Sequence, residues 1–223
     1  MKRVILTVLG SATLLVACNN ETKNASTNKD SNTATTASAT DAMKTEDAWV
    51  PIDSAAMMKA MTDAMTPGPI HKMVASWNGS WNTEITFWMK PGDPPMISKG
   101  SAVNSMVMNG LYQNSKFSGN MMGAPFQGMG TLGYDNIKKE FVSSWIDNMG
   151  SGIMYLTGPW DEATKTISLA GTVPHPLVPG KECKIRETFK VVDDNTQIME
   201  MYGPDPATGK EFKTMELKLT RKK

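Results

Sequence analysis

The chain has 223 residues, with 23 Lys and Arg against 22 Asp and Glu and a formal charge of +1. That length holds one domain plus accessory segments. No basic patch or long run of one charge is present, which argues against nucleic acid as a partner. The two cysteines are Cys18 and Cys183.

Lys2 and Arg3 form a basic start, followed by an apolar run from Val4 to Val16. Roughly 13 residues is too short for a spanning helix, which needs roughly 20, and fits the apolar region of a signal peptide. The run ends at Leu15, Val16, Ala17 and Cys18. This resembles the bacterial lipobox, in which an apolar, a variable and a small residue precede cysteine. The resemblance implies cleavage after residue 17, diacylglycerylation of the Cys18 thiol and acylation of the new N-terminus. Several acyl chains, at about 0.8 kcal/mol per CH₂, anchor a soluble domain stably. The plainer reading is an ordinary secretory signal with an accidental cysteine. Asn19 follows, where aspartate would favour inner-membrane retention in enterobacteria. The expected location is therefore the cell envelope, at the outer membrane, with the membrane touched only through the lipid. Without Lys2 and Arg3 the mature chain carries 21 basic and 22 acidic residues. With Cys18 acylated, Cys183 has no disulfide partner.

Residues 19–48 are Asn, Thr, Ser, Ala and Lys with little apolar content. Such a segment cannot offset its ordering entropy. It reads as a disordered tether with a reach of roughly 30 Å. The expected organisation is thus 1–17 signal peptide, 18–48 lipidated cysteine and tether, and 49–223 folded domain.

Order is expected from near Trp49. Asp53 or Ser54 can cap a helix, in which Met57, Met61 and Met65 recur at i, i+4, i+8 with Met58 beside them. Thr66, Pro67, Gly68 and Pro69 end it. A second helical turn starts at Pro69, with Ile70, Met73, Val74 and Trp77 at i, i+3, i+4, i+7 spacing.

From Gly79 the period changes to two. The alternation predicts ten strands, over 80–90, 96–109, 111–119, 126–135, 140–149, 152–160, 165–173, 182–192, 196–203 and 211–221, separated by turn residues. The spacing leaves no room for helical crossovers, so neighbours are antiparallel. Closure removes the exposed edges of such a sheet. The predicted fold is all-β, a ten-stranded antiparallel up-and-down barrel with an N-terminal helix; a two-sheet sandwich is the alternative. In an even-stranded barrel the first and last strands are antiparallel. Trp81, Ile85 and Phe87 share a face on the first, and Met215, Leu217, Leu219 and Arg221 share one on the last. Trp81 and Arg221 are then expected to meet in one mouth as a closure contact, ring against guanidinium. Gly79, Ser80 and Trp81 with a late arginine resemble the Gly-x-Trp signature of lipocalin and calycin barrels.

A wider set of residues carries a closer resemblance. Pro67 to Lys72, Gly79 to Trp81, Phe126 to Gly128, Gly133 to Asp135, Trp145 to Asp147, Gly158 with Asp161, and Glu216 to Arg221 are together similar to the bacterial domain-of-unknown-function family 1579, over about 50–221. The resemblance implies a calycin-like barrel and carries no established activity. Related ten-stranded calycins include haem-binding nitrobindins and fatty-acid-binding proteins, so analogy of fold implies a small apolar ligand and no more.

Gly128, Gly130 and Gly133 match G-x-G-x-x-G, but the dinucleotide motif must open a helix, and here it lies inside a strand. The glycines fit a bend or the close approach of a side chain or ligand, and by removing side-chain volume Gly128 and Gly130 are expected to open one wall of an internal cavity. His71 lies in the family motif on the short helix and His175 between two prolines; haem or metal ligation competes there with a structural role. Met106 with Met108, and Met199 with Met201, share strand faces. Thioethers bind Cu(I), but adaptable packing or a compliant pocket lining accounts for them more simply. Asp147 shares a face with Trp145 and Met149, and Glu187 lies between Ile185 and Phe189. If inward, each needs a donor or an altered pKa; Arg221 and Arg186 are candidate partners, though Arg186 should point to the face opposite Glu187, and ion pairing is weighed above acid–base catalysis.

Three functions compete. The leading one is a lipid-anchored binding protein whose barrel holds a small, largely apolar ligand on Phe87, Trp145, Asp147, Glu187 and His71, with the methionine-bearing helix closing a mouth near His71. The second is an isomerase or hydrolase using Asp147 or Glu187. The third is a structural envelope protein with a filled core. The cofactor and the identity of any ligand are not legible. Cys18→Ser is expected to move the protein from the membrane to the soluble fraction on cell fractionation; unchanged membrane association overturns the lipobox reading.

Overall fold

A computed structural model describes residues 50–223. The signal peptide, Cys18, the tether and Trp49 lie outside the described residues.

Strands β1 (Gly79–Phe87), β2 (Met96–Val107), β3 (Tyr112–Met121), β4 (Ala124–Asp135), β5 (Glu140–Asp147), β6 (Met154–Gly158), β7 (Trp160–Asp161), β8 (Thr166–Pro174), β9 (Glu182–Asp193), β10 (Thr196–Pro204) and β11 (Glu211–Arg221) pair in sequence order as an antiparallel meander. β1 pairs with β11, and β6 and β7 both pair with β8, so the sheet closes on itself. The fold is a closed ten-stranded antiparallel barrel. The strand expected over 152–160 is two pieces, because Pro159 has no N–H to give the ladder; the chain resumes pairing at Trp160 against Ile167. The close approach at this seam requires Gly158, where a Cβ would sit 1.8 Å from the Ser168 carbonyl oxygen.

Outward positions carry Glu84 between Lys218 and Lys99 on adjacent strands. Charges at mid-strand are what a lipid-facing band excludes. No helix among the described residues is long and apolar enough to cross a membrane.

Helix α1 (Ser54–Met65) is capped by Asp53, which accepts from the backbone N–H groups of Ala55 and Ala56 at 2.8 and 3.0 Å. Its C-terminal carbonyls are met by Asn136, in the β4–β5 turn, whose amide donates to the Asp63, Ala64 and Thr66 oxygens. The face bearing Met57, Met58, Met61 and Met65 stays at least half exposed. Helical spacing marks an apolar face without saying what covers it, and α1 does not close a mouth as expected.

Helix α2 (Pro69–Ala75) plugs one end of the barrel. Val74 and Trp77 bury against Phe141, Leu156, Ile167 and Leu169. The floor beneath is tied by hydrogen bonds to the last carbonyls of the plug. Gln113 donates to the Val74 oxygen at 2.9 Å, Trp81 Nε1 to the Trp77 oxygen at 3.1 Å, and Asn104 to the same oxygen at 3.4 Å. Arg221 completes the seal. Its Nη1 and Nη2 donate to the Asn78 and Ser76 oxygens at 2.7 and 2.9 Å, and Nε to the Asp194 oxygen at 2.9 Å. Its guanidinium carbon lies 4.3 Å from the Trp81 ring centroid, and the two residues are register partners.

Trp81 is fully buried, and its removal is expected to cost about 3–5 kcal/mol. Because Trp81 and Arg221 touch, a double-mutant cycle of Trp81→Leu and Arg221→Met in urea unfolding should return a coupling energy of about 1 kcal/mol. Simple additivity would show that the contact contributes nothing beyond its separate parts.

Candidate functional site

Alternation sets which side chains enter the barrel, and register sets who their neighbours are. Phe87, Phe117, Gly128, Gly130, Trp145, Glu187, Met201 and Met215 lie on inward positions. Below them α2 fills the barrel, and above them none of the described residues does. The result is a cavity of about 660 Å³, within the range of small-molecule sites. It opens at the end opposite α2. Met89, Met122 and Ile153 belong to its lining and to three different loops, and they are 61%, 64% and 71% exposed.

One wall is an aromatic cluster around Trp145. Phe117 meets its ring edge-on at 5.2 Å between centroids, and Phe126 stacks at 6.4 Å. The indole lies over Gly128, where a Cβ would be 2.3 Å from Cζ2. The glycine wall therefore does not widen the cavity, as small residues suggest; it seats Trp145. The indole N–H donates to Asp147 Oδ2 at 2.7 Å, and the Met149 N–H donates to Oδ1 at 2.8 Å. Asp147 is thus held near the open end with both oxygens engaged.

Glu187 differs. It lies between Leu169 on β8 and Met201 on β10, is 7% exposed and lines the cavity. Among the described residues no hydrogen bond or ion pair reaches its carboxyl. Its two candidate partners are committed elsewhere: Arg186 points outward to Glu211 at 2.9 Å and stacks on Tyr202, and Arg221 seals the opposite end. Desolvation without a donor pushes the carboxyl up to about 7.

The structure brings Phe87, Trp145, Asp147 and Glu187 to one cavity and leaves His71 out. His71 is buried in the plug. Its Nδ1 accepts from the Gly68 N–H at 3.0 Å, fixing the start of α2, and its ring packs edge-on against Tyr134. Nε2 faces the Tyr134 backbone without a contact of hydrogen-bonding geometry. Burial lowers its pKa, so the neutral imidazole is the resident form. No cluster of three or more His, Cys, Asp or Glu with metal-binding geometry occurs among the described residues. Of the methionine pairs, Met199 and Met201 line the cavity, while Met108 sits exposed in a 3₁₀ turn. Asn104 is a site residue that sequence reasoning missed. It lines the cavity with its Oδ1 buried and unbonded, and its signal was a lone polar residue on an inward strand position.

The Glu187 carboxyl is raised in the folded state, so its contribution to stability is full below about pH 4.5 and is lost as pH rises through about 7. Glu187→Gln, followed by urea unfolding, is expected to gain about 2–3 kcal/mol relative to the wild type between about pH 4.5 and about pH 8. Parallel pH profiles for the two proteins would show that the carboxyl is solvated.

Comparison with known proteins places the barrel. Curated proteins return no match. Among solved structures, the crystal structure of Rv2717c from M. tuberculosis is similar at 13% identity, covering 71% of this chain and 100% of that one with a TM-score of 0.54; this is a likeness of fold. A redesigned β-barrel is 12% identical over 67% of this chain and 95% of that one, with a TM-score of 0.34. A family model described as a protein of unknown function, DUF1579, matches residues 66–221, from the start of the plug to the closing arginine. The chain belongs to the DUF1579 family.

Proposed function

We propose that the protein binds a small, largely apolar ligand inside the barrel, and that it is held in the bacterial envelope by a lipid on Cys18. The observation that carries the first part is the cavity: one end sealed, the other open, walls of methionine and aromatic side chains. Thioether side chains adapt to an irregular guest at low cost, and burial of apolar ligand surface supplies about 25 cal/mol per Å². Exposed apolar residues on the rim give such a guest a graded path from outside to inside. A structural protein with a filled core has no use for this volume. The enzyme reading draws on Glu187, whose carboxyl near 7 suits a general acid or base. Against it, Asp147 is tied to Trp145 and Met149, and among the described residues no hydrogen bond or ion pair joins a second group to Glu187 to share the proton transfer.

Titration with the neutral fluorescent probe N-phenyl-1-naphthylamine is expected to give saturable binding with a dissociation constant of about 1–10 μM. Ser143→Leu adds volume to the lining without removing a hydrogen bond made among the described residues. It is expected to weaken the probe by about tenfold with the melting temperature retained. No saturable binding by the wild type would overturn the carrier reading and favour the structural one.

A further inference from the structure

From the polar groups that line this cavity, and resting on the carrier reading, we propose that its ligand is a lipophilic amine, an apolar chain or ring carrying a protonated nitrogen, with Glu187 as counter-ion and Asn104 as a second acceptor.

Among the described residues, the Asp and Glu side chains of the lining are Asp147 and Glu187, and no Lys, Arg or His belongs to it. A carboxylate guest, such as a fatty acid, would bring a third negative charge into an apolar space with no cation to meet it. Desolvation and repulsion both oppose that. Two side chains of the lining that are at least nine-tenths buried, Glu187 and Asn104, keep acceptors that take no hydrogen bond among the described residues. Glu187 accepts nothing among the described residues. Asn104 spends its N–H on the Trp77 carbonyl at 3.4 Å and keeps Oδ1 buried and unbonded. Each is at least nine-tenths buried. A neutral alcohol offers one donor and no charge; an ammonium group offers both N–H donors and the positive charge that an unpaired carboxylate lacks. Asp147, by contrast, has both oxygens engaged by Trp145 and Met149, so Glu187 is the open position.

The surroundings of Glu187 make the pairing depend on pH in a definite direction. On its own strand the same face carries Cys183, Ile185 and Phe189; β8 presents Leu169, β10 presents Met201, and across the cavity β5 presents Asp147. None supplies a positive charge. Below about 7 the carboxyl holds its proton and becomes a donor. A protonated amine then loses its counter-ion, and release follows acidification.

The test compares ligands with one chain and three head groups. Decylamine, decanol and decanoate displace N-phenyl-1-naphthylamine from the purified protein at about pH 8.5 and about pH 5.5, where the amine stays protonated throughout. At the higher pH decylamine is expected to displace the probe at about tenfold lower concentration than decanol and about a hundredfold lower than decanoate. At the lower pH its advantage over decanol should shrink to about twofold. Glu187→Gln should remove that advantage at both values while leaving decanol and the probe in place. Glu84→Gln, on the outer face of the barrel, should leave it as a control. Equal displacement by amine and decanol, tighter displacement by decanoate, or an amine preference that survives Glu187→Gln overturns the amine proposal while decanol binding still supports the carrier. Failure of the probe and of all three ligands removes the carrier reading itself.

Discussion

The structure depends on how one arginine at the end of the last strand is placed. Arg221 lies against Trp81 on the first strand, and its guanidinium donates to the Ser76 and Asn78 carbonyls just past α2 and to the Asp194 carbonyl in the β9–β10 turn. Those oxygens belong to two segments far apart in the sequence, and carbonyls just past a helix end or in a turn need partners from outside their own element. A fork of rigid donors meets them together, which a lysine could not do. The same contact explains the glycine two residues before Trp81. Gly79 has φ of 120°, and a Cβ there would stand 3.2 Å from Arg221 Nη1. Glycine turns the chain from plug to first strand and leaves room for the guanidinium. The Gly-x-Trp pattern and the late arginine are one device.

Sealing one end decides what the other end can be. Eight strands enclose a space that side chains just fill, and ten enclose more. Here the surplus is spent unevenly: α2, with Val74 and Trp77, fills the sealed half, and the remaining volume collects at the open half. Inward methionines on β10 and β11 line that half. The unpaired Glu187 is tolerable only because it faces this volume and not packed side chains. In a filled core the same carboxyl would need a permanent donor or would be lost to protonation over the whole neutral range.

Much of this barrel was readable from the chain. Period-two alternation located every strand, and face parity paired Trp81 with Arg221 before any coordinates. What parity cannot supply is commitment of long side chains. Arg186 faces away from Glu187, as parity places it, and pairs with Glu211; Arg221, the other candidate partner, is drawn away by the carbonyls just past the plug. The same limit applies to Gly128, whose missing side chain reads as empty space until the indole across the strand pair is seen to occupy it. His71 shows it again, since its helical face was legible and the direction in which that face turns, down into the plug, was not.

Stability and binding are thereby separated along the barrel axis. The contacts that close the fold gather at the plugged end, where backbone carbonyls, Trp81, Gln113 and Arg221 satisfy one another. The cavity end holds soft side chains, a tethered Asp147 and one carboxyl without a partner. On the carrier reading, substitutions at the first end act on folding and those at the second on what the cavity accepts, with Glu187 bearing on both. A polar group that weakens the fold and sits where a guest would lie is poorly explained as packing, because leucine or methionine at that inward position would fill the same space without the desolvation penalty. It is well explained as half of a contact whose other half arrives from outside.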